Sequence, residues 1–151
     1  MVLLNFNAHV DDISKKVSQR MYIMRKLRTF QVSKDTMLQV CKSMLLSIIS
    51  FGCTAWFGGC GIKEKTKIFR FIKEASKIIN TNLDSFDEVH LKSVERKAFS
   101  IINNKSHVLH SEFCLLPSGR RYAQMKCRTN RHGRTFVPVA IKALNKALNN
   151  T

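Results

Sequence analysis

The residues best suited to chemistry lie in a basic segment near the end of the chain, residues 120–136, where cations alternate with aromatic rings. Guanidinium groups bind phosphate through paired hydrogen bonds, and aromatic rings offer faces on which any nucleobase can stack. Tyr122 and Phe136 supply the rings. The segment therefore predicts contact with a nucleic-acid backbone through Arg120, Arg121, Lys126, Arg128, Arg131 and Arg134. The alternative interpretation of the same residues is an ordinary basic tail packed on the domain.

A second group of cations recurs at helical spacing farther up the chain. Lys63, Lys67 and Arg70 fall on the outer face of a predicted helix, together with Glu74 and Lys77. Such a face is either a solvated helix surface or an additional contact with phosphate. We include the three cations before Glu74 among the candidate nucleic-acid-binding residues.

Histidine and cysteine side chains offer two candidate metal sites. The first is a His/Cys set in the last third of the chain, comprising His107, His110, Cys114, Cys127 and His132. A structural zinc site usually contains closely paired cysteines, which this set lacks. The second is the His9-Val10-Asp11 triplet, which has the spacing that begins an iron-binding facial triad on a β-barrel. We predict no metal and no cofactor at either place.

The acidic residues do not suggest a catalytic centre. The chain has 10 Asp and Glu, mostly at helix starts or near lysines, and it has no Gly-rich phosphate loop or nucleophile elbow. A two-metal polymerase or nuclease centre needs acidic side chains gathered at one place. We therefore predict that the chain is not an enzyme.

Charge and cysteine content indicate the partner and the compartment. The chain carries 26 Lys and Arg against 10 acidic residues, a net charge of +16, and residues 105–151 hold 9 of those cations and 1 acid. A chain this basic favours an anionic partner, most commonly nucleic acid. The 5 cysteines contain no C-x-x-C pair, and Asp11 and Asp12 interrupt any early apolar run. These features predict a nuclear or cytoplasmic protein that is not secreted.

The other elements are arranged around one apolar stretch, residues 33–57, which we predict to be a single buried helix. Ser33 is a suitable N-cap, Asp35 follows in the first turn, and the glycines from Gly58 end the pattern. Residues 43–62 are uncharged and about long enough to span a bilayer. Because glycine and serine interrupt this run, we favour a core helix over a membrane span.

Apolar residues at three- and four-residue intervals predict helices over residues 8–27, 63–79 and 85–102, and a short last helix after Pro138. The chain is therefore predicted to be all-α, a bundle of four main helices with an irregular basic C-terminal third and a short last helix. We assign residues 1–104 to the bundle and residues 105–151 to a basic extension packed on it within a single domain. A short strand or arm is expected over residues 2–7. The predicted core includes Ile48, Trp56, Phe71 and Leu91.

Several blocks of sequence resemble one family. HSEFCLLPSGRRY (110–122) and KCRTNRHGRTFVPVAIKALN (126–145) resemble the C-terminal end of LINE-type, jockey-like non-LTR retrotransposon reverse transcriptases, as found in fish genomes. KKVSQRMYIMRKLRTFQVS, SIISFGCTAWFG and IKEASKIIN are similar to earlier blocks of that region, and LNFNAHVDDISKK is similar to the stretch leading out of the polymerase palm. RHGRTF departs from the aromatic and lysine-containing form that these relatives commonly have.

The resemblance implies a helical thumb-like region that grips a template–primer duplex, either DNA or an RNA–DNA hybrid. It also implies that the palm domain of the parent polymerase, with the catalytic aspartates, precedes this region as a partner. No residue of this chain matches those aspartates. The resemblance therefore implies non-catalytic binding of nucleic acid, with no membrane involved.

Two alternatives to this function remain. ISKKVSQRMYIMRKLRTF (13–30) also resembles the N-terminal segment of AlkB-type tRNA-modifying homologues, a resemblance that implies methyltransferase or 2-oxoglutarate-dependent dioxygenase activity. The matching segment includes neither an iron site nor a cofactor-binding loop. The other alternative is a protein-interaction fragment, which would bind a protein and show no salt-dependent affinity for nucleic acid.

Overall fold

The computed structural model describes residues 6–149, and the chain is all-α there, as the periodicity predicts. The helices are α1 (Asn7–Thr29), α2 (Lys34–Val40), α3 (Ser47–Ser50), α4 (Cys53–Trp56), α5 (Ile62–Ile79), α6 (Phe86–Ile102) and α7 (Phe136–Asn149). A π-helical segment, Cys41–Leu46, joins α2 to α3, and short 3₁₀ turns occupy Phe57–Gly59, His110–Glu112 and His132–Arg134. Most of the arm predicted for residues 2–7 lies outside the described residues.

The chain divides into two compact units, Met1–Val89 and His90–Thr151. The division falls inside α6, whereas we predicted a boundary after residue 104, at the end of that helix. Each unit has its own cluster of buried apolar side chains. The first unit comprises α1 to α5 and the start of α6, and the second comprises the rest of α6, the irregular segment and α7.

Helices α1 and α5 pack side by side in the first unit. The residues that α1 buries are those that its spacing predicts, Val10, Ile13, Val17, Met21 and Met24. Ion pairs flank the contact, from Lys67 Nζ to Asp11 Oδ1 at 2.8 Å and from Arg25 Nη2 to Glu74 Oε2 at 3.5 Å. Lys67 and Glu74 of α5 therefore each pair with an oppositely charged residue of α1.

The central stretch is not the single helix that we predicted over residues 33–57. Its start is as expected, since Ser33 Oγ accepts a hydrogen bond from Thr36 N–H at 3.3 Å. The helix then breaks at Phe51 and Gly52, where Gly52 has a φ of 60°, a left-handed conformation that glycine adopts without steric cost. Trp56 Nε1 donates to Phe51 O at 3.0 Å, which satisfies a carbonyl at the break.

The π-helical segment changes which residues of the central stretch face the core. From residue 37 to residue 53 the buried positions are Met37, Cys41, Leu45, Ile49 and Cys53, each four residues after the last. An ideal α-helix would rotate such a series steadily out of the core, and the wider π turn offsets that rotation. The prediction that Ile48 is buried is therefore wrong by one residue, because Ile49 takes the inward position and Ile48 is half-buried.

Hydrogen bonds from side chains accompany this distortion. Arg20 Nη1, on α1, donates to Met44 O at 2.8 Å, and Ser43 Oγ donates to Val40 O at 3.2 Å. Ser47 Oγ also donates to Ser43 O. Serines that bond back to the preceding turn bend helices, and π turns leave carbonyls that external donors can satisfy. These contacts are made by residues of the irregular segment or of the turn on either side of it.

The stretch Lys34–Gly59 is long and apolar enough to cross a membrane by length and composition alone. A core helix of a soluble protein has the same properties. Here one side of the stretch contributes Met37, Leu45 and Trp56 to the core of the first unit. The absence of membrane contact stays a prediction.

The second unit is held together by α7 packed on the second half of α6. Ile141 and Leu144 of α7 are buried with Val94 and Ile101 of α6, and Phe113 from the irregular segment completes the cluster. Helix α7 begins at Phe136, two residues before Pro138, so that proline lies in its first turn as we expected. The spacing predicts Val137, Ile141, Leu144 and Leu148 on one face of this helix; Ile141 and Leu144 are buried and Val137 is half-buried, but Leu148 is 48% exposed.

The remaining core predictions have mixed outcomes. Trp56 is 4% exposed and stacks with Phe86 at 6.4 Å between ring centroids, which confirms its place in the core. Phe71 is only half-buried, because Ile72 and Ile68 occupy the inward face of α5. Leu91 is 37% exposed, so its predicted burial is wrong. The inward face of α6 in the second unit starts at Val94 instead.

Candidate nucleic-acid interface

A tight turn presents the start of the basic segment. Leu115 and Tyr122 form an isolated antiparallel bridge, and beside it Leu116 N–H donates to Arg121 O at 2.8 Å. Gly119 N–H closes the turn onto Leu116 O at 2.8 Å, and the φ of Gly119 is 68°. The turn therefore requires the left-handed backbone that glycine favours, immediately before the first two arginines.

Asn145 fixes this turn to α7. Its Oδ1 accepts a hydrogen bond from Tyr122 N–H at 2.7 Å, and its Nδ2 donates to Tyr122 O at 3.0 Å. The side chain is 6% exposed and thus satisfies both main-chain groups of Tyr122 in a buried setting. The Tyr122 ring packs edge-on against buried Phe113, with centroids 6.5 Å apart. The basic segment is therefore anchored at its beginning.

The two arginines at the anchor project outward. Both Arg120 and Arg121 are exposed, and Arg121 Nε donates to Asn149 Oδ1 at 3.2 Å at the end of α7. This contact engages one of the five N–H groups of the Arg121 guanidinium. The remaining donors of that side chain face the surface, where a phosphate could bind.

The other predicted cations, Lys126, Arg128, Arg131 and Arg134, occupy irregular backbone and are all exposed. A small turn organises the last of them. Thr129 Oγ1 accepts from His132 N–H at 3.1 Å and Thr129 O accepts from Gly133 N–H at 3.1 Å. The structure thus brings all six predicted cations of the segment to the surface of the second unit.

The aromatic rings of the segment also pack within the second unit, and their stacking on bases stays a prediction. Tyr122 and Phe136 are both half-buried, and both rings pack edge-on against Phe113, at 6.5 and 6.4 Å between centroids. A ring used in the core has less face available for stacking on a base. The chemistry of the segment is therefore mainly that of its cations.

The candidate cations of α5 are not equivalent. Lys63, Lys67 and Arg70 are all exposed, but the Lys67 ammonium forms an ion pair with Asp11. Among residues 6–149, no carboxylate lies within ion-pair distance of Lys63 or Arg70. These residues belong to the first unit and the basic segment belongs to the second. The α5 group is thus a separate candidate surface.

Charge is distributed unevenly between the two units. Residues 90–151 contain 12 Lys and Arg and 2 acidic residues, for a net charge of +10, whereas residues 1–89 contain 14 and 8, for a net charge of +6. A surface with so few carboxylates keeps a positive potential that attracts polyanions. The second unit is therefore the stronger candidate for an interface with nucleic acid.

The His/Cys set makes local contacts. His107 Nδ1 accepts from Leu109 N–H at 3.1 Å, and His110 Nδ1 lies 3.2 Å from Ile101 O. Cys114 Sγ donates to Ser111 O at 3.0 Å. Within residues 6–149, no three His, Cys, Asp or Glu side chains are grouped closely enough to hold a metal ion. The prediction that the chain binds no metal still requires a measurement.

The His9-Val10-Asp11 triplet is likewise used in packing. The His9 ring lies edge-on to Trp56 at 5.2 Å between centroids, Val10 is buried, and Asp11 forms an ion pair with Lys67. Each member of the triplet therefore has a partner in the first unit, and none of these contacts requires a metal.

The buried thiols of Cys41 and Cys60 are unreactive near neutral pH. Burial raises the pKa of Cys41 and of Cys60 from 9.0 to about 11, since a thiolate is poorly solvated in the core. Because the thiolate is the reactive form, neither thiol is suited to act as a nucleophile near neutral pH.

Sequence reasoning missed Asn145 as the residue that positions the basic segment. The available signal was an amide residue directly after Leu144, at the edge of the apolar face of α7. Its role depends on a segment more than 20 residues away, so periodicity could not identify it.

Comparison of the chain with protein-family models, curated proteins and solved structures found no match. The resemblances to a non-LTR reverse transcriptase and to AlkB-type homologues therefore stay predictions from the sequence.

Proposed function

We propose that this chain binds the backbone of a nucleic-acid duplex without catalysing a reaction, as the thumb-like region of a non-LTR retrotransposon reverse transcriptase. The observation that carries the proposal is the set of exposed cations from Arg120 to Arg134, anchored at Tyr122, on a unit with a net charge of +10. Phosphate contacts of this kind give affinity and orientation but do not read sequence.

The anchoring supports binding over an ordinary basic tail. Ordering a mobile, charged tail on a duplex costs conformational entropy, which a segment already fixed at Tyr122 by Asn145 largely avoids. The main stabilising contacts of the segment are the hydrogen bonds of the turn and the packing of Phe113. The side chains of Arg120, Arg128 and Arg134 are exposed at the surface of the second unit, where a phosphate can reach them.

The proposal is tested by the salt dependence of binding. Labelled DNA duplex and RNA–DNA hybrid are titrated with the full chain at several salt concentrations. Log affinity for B-form DNA should fall linearly with log salt, with a slope of about −0.9 for each phosphate neutralised. The double variant Arg120→Ala, Arg128→Ala should make that slope shallower by up to about 1.8 and weaken all sequences alike.

A matched variant separates local contact from net charge. The double variant Lys16→Ala, Arg25→Ala also removes two positive charges, but from α1. There Lys16 pairs with Asp12 at 2.7 Å and Arg25 pairs with Glu74. We expect this control to change the slope much less. An equal change in both variants, with circular dichroism unaltered, would refute a specific role for the basic segment. Lys63→Ala, Arg70→Ala then tests the surface of α5.

A protein-interaction function is the second candidate, and the observation that bears on it is three highly exposed apolar residues of the first unit. Phe30, Phe51 and Ile62 are 76, 80 and 87% exposed. Large exposed apolar side chains mark protein contacts when they form a contiguous patch. If the chain binds duplex with no salt dependence, or does not bind it, this second function becomes the better one. Binding of iron or of a methyl-donor cofactor would instead support the AlkB alternative.

A further inference from the structure

Helix α6 carries a second set of cations that the sequence patterns did not single out. Ser93, Arg96, Lys97 and Ser100 line a shallow recess along one flank of this helix. Residues spaced by three, four and seven positions share one side of an α-helix. All four belong to the second unit, as does the basic segment.

This flank is distinct from the face that α6 buries. Val94, Ala98 and Ile101 point into the cluster that contains Ile141 and Leu144. Arg96, Lys97 and Ser100 are exposed. The recess is thus open to solvent and is separate from the packing that holds the second unit together.

The residues that line the recess include hydrogen-bond donors and no carboxylate. It offers the guanidinium of Arg96, the ammonium of Lys97 and the hydroxyl of Ser100, groups that can donate hydrogen bonds to phosphate oxygens. The neighbouring acid on α6 is Glu95, which is half-buried and whose side chain leaves the helix about 100° away from that of Arg96. In the part of the chain that the structure describes, no ion pair joins Arg96 or Lys97 to a carboxylate.

We propose that this recess is a second phosphate-binding surface, which holds the sugar-phosphate backbone of the same duplex. This inference rests on the proposed function. The four residues extend over about 10 Å of helix, a length that corresponds to roughly three base-pair steps along the axis of the duplex. The complementary charge of a unit with 12 cations and 2 acids favours a polyphosphate backbone as the occupant.

The test compares two double variants of the full chain in the same salt titration with B-form duplex DNA. Arg96→Ala, Lys97→Ala removes both cations of the recess, and the slope of log affinity against log salt should become shallower by roughly one to two. Lys142→Ala, Lys146→Ala is the matched control, since it removes two exposed cations from α7 in the same unit. We expect less than half of the effect from this control.

A third variant leaves both cations in place. Ser100→Glu introduces a carboxylate into the recess at an exposed position, where the fold should tolerate it. It should weaken duplex binding at least as much as the loss of one cation. The charge-preserving variant Arg96→Lys, Lys97→Arg should keep most of the slope.

The outcomes separate the two proposals. If the wild-type chain shows a salt-dependent slope that Arg96→Ala, Lys97→Ala leaves unchanged, only the α6 surface is refuted. Equal slopes in the recess variant and the α7 control would also refute it, because the effect would then follow net charge alone. If the wild-type chain does not bind duplex, the proposed function and the α6 surface both fail.

Discussion

Replacing Ile49 by alanine tests the register that the π-helical segment imposes on the core of the first unit. Ile49 is fully buried, whereas its neighbour Ile48 is half-buried. A continuous α-helix with the spacing first predicted would place Ile48 inward instead. The two isoleucines therefore form a matched pair with the same chemistry and adjacent positions on one short helix.

The expected costs follow from burial. Truncating a fully buried isoleucine removes its transfer free energy and leaves a cavity, which together lower the free energy of unfolding by about 2–5 kcal/mol. Truncating Ile48 removes only part of that apolar area and opens no closed cavity, so we expect a cost of roughly 1 kcal/mol. The difference in helix propensity between isoleucine and alanine is the same in both variants and cancels in the comparison.

Urea unfolding followed by tryptophan fluorescence measures these costs in the appropriate unit. Trp56 is the only tryptophan in the chain, and it is buried in the core of the first unit beside Phe57 and Phe86. Its emission therefore reports on that unit. Far-ultraviolet circular dichroism on the same samples checks that the helical content is unchanged before denaturant is added.

The result that would refute the register is an equal or larger loss for Ile48→Ala than for Ile49→Ala. Such a result would mean that the helix continues without the π turn and that the buried face runs through Ile48. A loss below about 1 kcal/mol for both variants would mean that the stretch is not central to the core.

Three further outcomes are expected. The free energy of unfolding should fall by roughly 2 kcal/mol for each of Cys41 and Cys60 between pH 9 and pH 11, because their folded-state pKa of about 11 exceeds the ordinary value of 9.0; replacing both by alanine should remove that dependence in urea titrations. Asn145→Ala should speed hydrogen exchange at the Tyr122 amide and destabilise the second unit by about 1–3 kcal/mol, since it leaves buried main-chain groups without partners, while Asn149→Ala should do neither. Purified chain should contain no stoichiometric zinc or iron, and a chelator should leave its circular dichroism unchanged; unfolding on chelation would revive the His/Cys set as a metal site.

Local patterns in the sequence were sufficient to predict most of the helices. The spacing of apolar residues predicted α1, α5 and α7 and most of their inward faces, since each of these helices has one clearly polar side. Ser33, the predicted N-cap of α2, accepts a hydrogen bond from the N–H three residues later at 3.3 Å, and Ser85 makes the equivalent contact at the start of α6 at 3.3 Å. These interactions join residues that are close together in the sequence, so the sequence alone is sufficient to predict them.

The tertiary structure determined which residues face the core wherever the sequence pattern was compatible with several inward faces. The stretch from residue 34 to 57 is apolar on much of its circumference, so its own periodicity could not select the inward face. Contacts with α1, including that of Arg20 with the Met44 carbonyl, accompany the π turn that makes Ile49 inward. The break at Gly52 likewise lies within a run that is apolar on both sides.

The candidate interface shows the same division. Composition alone identified the cations from Arg120 to Arg134 and the excess charge around them. The positions of those side chains depend on Asn145, which holds Tyr122 from 23 residues away. Only the folded chain brings an amide, a main-chain segment and the Phe113 ring together, and this is why Tyr122 packs inward while the arginines beside it face the solvent.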